Sequence, residues 1–145
     1  LHLNLVSHGK PMIQSEPKDD FEKGLQELLS FVEDPIYNIL LPHVRDMLNT
    51  PSIQVSDIFL RRYGQDVCEV SRKGISAHYD VFSRVTSVIA LDDVATDGRN
   101  GLFTTYLAGD GGNTSNHAAL RRFFPLDSGD AVVHTWDILH GVAIE

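Results

Sequence analysis

The chain has 145 residues, 42% of them hydrophobic and 22% charged, a composition that is ordinary for one soluble globular domain with a real core. No apolar run reaches the roughly 18 residues of a membrane helix, and the formal net charge of −8 argues against a nucleic-acid backbone as the main partner. Cys68 is the only cysteine, which excludes an internal disulfide and therefore a secreted disulfide scaffold.

Two amphipathic helices are predicted in the first third of the chain. The first has apolar residues at helical spacing, with Asp19 or Asp20 placed as its N-cap; these residues are Phe21, Leu25, Leu28, Leu29 and Val32. The second is predicted over residues 34–49, with Pro35 in its first turn. Its apolar stripe consists of Ile36, Ile39, Leu40, Val44 and Met47. We expect both helices to pack on a sheet, so residues 1–52 are interpreted as an N-terminal helical support region.

From Ile53 onward the periodicity changes to short strand-like runs divided by turn residues. The predicted strands are 53–63, 67–70, 75–81, 85–91, 102–107, 120–125, 130–135 and 139–144. A glycine-rich stretch, 108–116, is interpreted as a mobile loop. Many short strands with glycine-rich turns are typical of a sandwich or jelly roll, so residues 53–145 are predicted to form one.

Two histidines and one aspartate form a candidate metal site. His78 and Asp80 are separated by one residue, so on an extended strand both side chains point the same way. His140 lies at the start of the last strand-like run and must be brought to the pair by folding. Two imidazoles and one carboxylate form the facial triad of non-haem iron(II) sites, in which the opposite face of the metal stays open.

The surroundings of the triad resemble a known family. Residues 84–92 (RVTSVIALD) look like the strand that follows the ligand pair in prolyl-hydroxylase-type 2-oxoglutarate/iron(II) dioxygenases, and residues 101–106 (GLFTTY) resemble its next strand. Residues 128–134 (SGDAVVH) resemble the turn and strand that lead to the family's distal histidine, which is its last metal ligand in the chain. Residues 139–142 (LHGV) match the usual surroundings of that histidine. The resemblance covers roughly residues 55 to 145 in the right order. It is specific for the superfamily and not for the substrate.

The resemblance implies a fold and an activity. The fold is mainly β with N-terminal helices (α+β), a double-stranded β-helix or jelly roll. The activity is that of a hydroxylase using Fe(II), 2-oxoglutarate and O2, which releases succinate and CO2 and allows ascorbate as a reductant. His78, Asp80 and His140 would be the metal ligands. Because related halogenases lack the carboxylate, Asp80 favours hydroxylation. The resemblance favours peptidyl proline as the substrate, while a small molecule stays open and nucleic acid is disfavoured by the acidic charge.

Three contacts to the cosubstrate are expected. Tyr63 resembles a family tyrosine that faces the cosubstrate pocket, whereas the alternation of side chains along their strands places Thr86 and Val142 toward it. In the family a basic residue about nine positions beyond the distal histidine anchors the 5-carboxylate, and here that position falls after Glu145. We therefore expect the chain to be a C-terminally truncated piece of a longer protein, with its localisation open. Ala90 is a further departure from the family pattern, because some family members place a tyrosine at this position.

Three alternatives stay open at this point. A rival triad would use His134 in place of His140, although the glycine after His140 favours the latter. A jelly-roll binding or scaffolding domain could keep ligand-like residues without catalysis. A cupin-like metalloprotein with a different cosubstrate is the third, although cupins usually supply more histidines and a glutamate than this chain shows.

Overall fold

The computed structural model describes residues 2–12, 18–63, 74–93, 100–105 and 120–144. It divides into two compact units, Leu1–Arg62 and Tyr63–Glu145. Among the described residues strands predominate and the helices all lie in the first unit, so the α+β class predicted from the sequence is confirmed. The predicted strand 67–70 and the predicted loop 108–116 lie outside the described residues.

The first predicted helix is present as α1 (Asp20–Asp34). Asp19 caps it, since its carboxylate accepts a hydrogen bond from the backbone N–H of Glu22 at 2.8 Å. Leu29 is buried and Leu25, Leu28 and Val32 pack beside it, so these members of the predicted apolar stripe face the core. Phe21, the first predicted member, is 64% exposed and does not. Within the described ranges, no helix is long and apolar enough to cross a membrane.

The second predicted helix is not separate from the first, which corrects the sequence prediction. A π-helical turn (Pro35–Leu40) joins α1 directly to α2 (Leu41–Met47). The cause is a pair of prolines that lack the N–H of the regular ladder. Pro42 has no N–H to donate to the carbonyl of Asn38, and the N–H of Leu41 bonds the carbonyl of Ile36, five residues back. The prolines therefore widen the helix instead of ending it.

A small antiparallel sheet completes the first unit and was not predicted from the sequence. Its strands are β1 (His2–Ser7), β2 (Lys10–Pro11) and β3 (Ile58–Arg61), in the order β2-β1-β3. Leu5, Val6 and Ile58 from this sheet are buried together with Leu29 of α1, so the helix does pack on a sheet as expected. The pairing of β3 with β1 places this part of the predicted strand 53–63 in the first unit.

The second unit contains six described strands that match predicted ones to within a few residues. They are β4 (Gly74–His78), β5 (Val85–Ile89), β6 (Gly101–Thr105), β7 (Arg121–Phe123), β8 (Ala131–Thr135) and β9 (His140–Ala143). Four form an antiparallel sheet in the order β4-β9-β6-β7, and β5 pairs with β8 in a separate two-stranded ladder. In the described residues these two sheets do not close on each other through hydrogen bonds.

One glycine lets the core of the second unit close tightly under β9. Phe103 is 1% exposed, and its ring lies against the backbone of Gly141. A Cβ atom at Gly141 would lie 2.6 Å from the Phe103 Cζ atom and 2.6 Å from the carbonyl oxygen of Ile75. The residue that follows His140 must therefore be glycine for this packing to form, because real Cβ atoms do not approach so closely.

Candidate metal centre

The two histidines are brought together by the pairing of β4 with β9. His78, the last residue of β4, is the register partner of His140, the first residue of β9. Directly paired residues of an antiparallel ladder present their side chains on the same face. The ring centroids are accordingly 4.5 Å apart, with the ring planes inclined by 49°. Folding thus delivers the distal histidine to the His78–Asp80 pair, as the sequence predicted.

Asp80 lies between the two imidazoles. Its Oδ1 atom is 3.4 Å from His78 Nε2 and its Oδ2 atom is 3.5 Å from His140 Nε2. One ligand atom from each residue forms a group within 4.8 Å, so the described chain contains a His-Asp-His cluster that could hold a metal ion. Asp80 is placed there from the loop after β4, because the strand ends at His78 and not at residue 81 as predicted.

The separations fit three ligands around one ion. Metal–nitrogen and metal–oxygen bonds of about 2.1 Å place neighbouring ligand atoms roughly 3.0 Å apart at right angles and roughly 3.4 Å apart at tetrahedral angles. Each histidine lies 3.4 or 3.5 Å from a different oxygen of Asp80, and the three ligand atoms lie within 4.8 Å of one another, so small side-chain movements would bring them around one ion. The donor set, two imidazoles and a carboxylate, is the one that suits iron(II).

Backbone carbonyls orient both imidazoles and select the tautomer of the neutral rings. His78 Nδ1 lies 2.8 Å from the carbonyl oxygen of Ser76, and His140 Nδ1 lies 3.0 Å from that of Ile138. A carbonyl only accepts hydrogen bonds, so in the neutral rings each Nδ1 carries the hydrogen and each Nε2 keeps its lone pair. Both histidines thus turn an unprotonated nitrogen toward Asp80, which is the arrangement that a metal requires.

Burial keeps His140 in the neutral form that binds metal. The residue is 5% exposed, and desolvation is the main cause that lowers its pKa below the usual 6.5. The nearby imidazoles of His134 and His78 lower this pKa further, while the Ile138 carbonyl and Asp80 oppose the shift. A proton therefore competes less for this nitrogen near neutral pH than it does for the nitrogen of an exposed histidine.

The two-stranded ladder contacts the triad from a second direction. Thr86 on β5 donates a hydrogen bond from its hydroxyl to Asp80 Oδ2 at 2.6 Å. His134 on β8 lies with its ring centroid 4.1 Å from that of His140. Thr86 and His134 are themselves register partners, so both contacts come from one point of the ladder. The rival triad with His134 is not found, because in the described residues only His78, Asp80 and His140 form the cluster.

The three residues predicted to contact a cosubstrate have different positions. Thr86 does face the triad, and its hydroxyl is bonded to Asp80. Val142 lies two residues beyond His140 on β9 and therefore shares its face, partly buried opposite Leu102. Tyr63 is partly buried at the start of the second unit, and among the described contacts no hydrogen bond or ring contact joins it to the triad.

The sequence analysis missed two features of this centre. One is the hydrogen bond from Thr86 to Asp80, although the short separation of the two residues was a usable signal. The other is the contact of His134 with His140, which depends on how β8 lies against β9 and has no signature in the sequence.

Comparison with known proteins gave no match to this chain, whether with protein-family models, curated proteins or solved structures. The interpretation of the centre therefore depends on its own geometry and chemistry.

Proposed function

We propose that the protein is an Fe(II)- and 2-oxoglutarate-dependent hydroxylase whose second unit is a double-stranded β-helix. One observation carries the proposal: His78, Asp80 and His140 converge with both Nε2 lone pairs turned inward before any metal is bound. Preorganised imidazole and carboxylate ligands on one side of an ion leave its other side free for a cosubstrate and dioxygen. The resemblance of the surrounding strands to prolyl-hydroxylase-type enzymes supports this choice and favours a peptidyl proline as the substrate.

The residues around the triad have distinct tasks in this proposal. His78, Asp80 and His140 hold the metal, and Thr86 keeps the carboxylate of Asp80 in place. Val142 supplies part of the apolar wall on the face of His140, and Tyr63 is proposed to contact the cosubstrate. When bound, iron(II) and 2-oxoglutarate supply oxidative chemistry in which O2 is divided between succinate and a hydroxylated C–H bond, with release of CO2.

The buried position of His140 also bears on the chemistry. A nitrogen ligand that is neutral and enclosed binds the metal without first losing a proton to solvent. Leu102, the cross-strand partner of Val142, is 4% exposed, so an apolar surface borders the metal ligand along β9. A water-poor environment of this kind limits side reactions of an activated oxidant.

The test is an anaerobic titration with iron(II), followed by 2-oxoglutarate, of a chain that includes the position about nine residues beyond His140, where the family carries its basic anchor. A weak visible charge-transfer band is expected from the chelated cosubstrate, and succinate is expected once oxygen enters. The His140→Ala variant should lose both signals. His43→Ala, an exposed position on α2 of the first unit, serves as the matched control and should keep them. Iron binding without a band would indicate another cosubstrate, and no iron binding would refute the metal centre in favour of a non-catalytic binding domain.

A further inference from the structure

A third histidine beside the triad has an unused nitrogen. His134 is 8% exposed, and its Nε2 atom is buried without a hydrogen-bond partner among the described residues. A buried polar atom without a partner costs free energy of folding, so native proteins keep few of them and generally for a reason. The ring centroid of His134 lies 4.1 Å from that of His140, so this histidine packs directly beside a ligand of the metal centre.

The protonation of His134 defines what its free nitrogen can bind. Its Nδ1 atom lies 3.1 Å from the carbonyl oxygen of Thr135, which can only accept a hydrogen bond. Nδ1 therefore carries the hydrogen, and in the neutral ring Nε2 is left with a lone pair. The missing partner must then bind that lone pair, as an O–H or N–H hydrogen-bond donor or as a metal ion.

The register of the β5–β8 ladder directs His134 toward the triad. His134 pairs with Thr86, and directly paired residues present their side chains on one face. On that face the hydroxyl of Thr86 already reaches Asp80. His134 is nevertheless outside the group whose ligand atoms converge. His134 thus packs against the metal centre without belonging to the ligand set.

We propose that His134 Nε2 accepts a hydrogen bond from a water molecule, or from another O–H or N–H donor, bound at the open side of the metal. The inference rests on the metal centre of the proposed function and does not depend on its 2-oxoglutarate chemistry. The oxygens of ionised 2-oxoglutarate carry no hydrogen and cannot satisfy this nitrogen. His134 is therefore a positioning residue for water or for a substrate hydroxyl or amide, and it does not anchor the cosubstrate.

Two substitutions separate hydrogen bonding from packing. His134→Phe keeps a flat ring and removes the acceptor, whereas His134→Gln keeps an acceptor oxygen on a side chain of similar reach. Thr105→Val is the matched control, because Thr105 Oγ1 is the other buried atom without a partner in the described chain. Thr105 follows Thr104, the partner of His140, and so points to the opposite face of β6.

Anaerobic titration with cobalt(II) measures the effect on the metal-free chain. His134→Phe should bind cobalt(II) about 10-fold more weakly than the wild type, since lost partners of the metal centre have effects of this size. His134→Gln should recover most of that loss, and Thr105→Val should bind as the wild type does. Urea unfolding of the metal-free His134→Phe variant should show undiminished stability, because an apolar ring replaces an unsatisfied polar one.

Paramagnetic proton spectra of the cobalt(II) form count the histidines bound to the metal. Two shifted, exchangeable ring N–H signals are expected, from His78 and His140, in the wild type and in both His134 variants. Equal cobalt(II) affinity of His134→Phe and wild type would overturn the inference and leave the metal centre intact. A third signal that disappears in the His134 variants would also overturn it, because His134 would then be a ligand. Failure of the wild type to bind cobalt(II) would refute the metal centre together with the inference.

Discussion

Replacement of Gly141 by alanine should destabilise the second unit while the ligand residues stay unchanged. The new Cβ atom would lie 2.6 Å from the Phe103 ring and 2.6 Å from the carbonyl oxygen of Ile75. Carbon atoms pack best at about 3.5–4.0 Å, so the ring contact is about 1 Å too short. The Ile75 carbonyl belongs to the backbone of β4, and the ring of Phe103 is fully buried, so neither can move freely.

The expected magnitude follows from these two clashes. Overpacking of a closed core costs about 1–3 kcal/mol, and two contacts with rigid neighbours place Gly141→Ala near the upper end, at about 3 kcal/mol. For a unit of this size each kcal/mol lowers Tm by roughly 4–8 °C. The variant should therefore unfold at least about 10 °C below the wild type. Circular dichroism during thermal and urea unfolding of the metal-free chain measures both quantities.

A second glycine provides the control for this experiment. Gly24 lies in α1, and a Cβ atom there would meet nothing within 4 Å. Gly24→Ala should stabilise the helix by about 0.5–1 kcal/mol, because alanine loses less backbone entropy on folding. The reasoning would be refuted if Gly141→Ala unfolded at the wild-type midpoint, since β9 would then have room for a side chain. Shifts of the unfolding midpoint in the same direction for Gly141→Ala and Gly24→Ala would also contradict this reasoning.

Three further outcomes follow from the metal centre. Thr86→Val should weaken cobalt(II) binding about 10-fold, because Asp80 loses the hydrogen bond that holds its carboxylate. Thr86→Ser keeps the hydroxyl and should bind cobalt(II) as the wild type does. Unchanged cobalt(II) affinity of Thr86→Val in a titration would show that Asp80 needs no such partner. Asp80→Ala should remove metal binding and all turnover, as measured by iron content and succinate release; full activity would exclude the triad. The free energy of unfolding of the metal-free chain should fall as the pH drops below 6.5, because the unfolded chain protonates His140 at its usual pKa of 6.5 while burial lowers this pKa in the folded state. The stability is present above 6.5 and is lost as the pH falls through the lower folded value, so urea titrations of His140→Phe should show a weaker pH dependence.

The sequence was sufficient for the parts of the site that depend on local spacing. His78 and Asp80 are close in the chain, and the glycine after His140 singled out this histidine from His134. The packing of Phe103 against Gly141 now gives a physical reason for that glycine. The end of β4 was not predictable, because Asp80 reaches the triad from a loop and the alternation of side chains alone suggested a longer strand.

Features that depend on several segments at once were beyond the sequence reasoning. Pro35 marked a helix start in the sequence, yet the chain continues through a π-helical turn because Pro42 removes a second N–H about two turns later. In β1, Leu3 and Leu5 alternate with polar residues, which is a strand pattern. This pattern was present in the sequence and was overlooked beside the stronger helical pattern. The pairing of Thr86 with His134 depends on the register between strands that are far apart in the chain.

The centre is built so that each ligand is positioned by a partner other than the metal. Carbonyls two residues earlier in the chain hold His78 and His140, and the hydroxyl of Thr86 holds Asp80. Because the four-stranded sheet supplies the histidines and the two-stranded ladder supplies Thr86, the geometry of the site depends on the packing of one sheet against the other. A metal that binds all three ligands must then stabilise that packing, by about 2.7 kcal/mol at a free concentration one hundred times its Kd. The affinity of the site and the stability of the second unit are thus two measures of the same contacts.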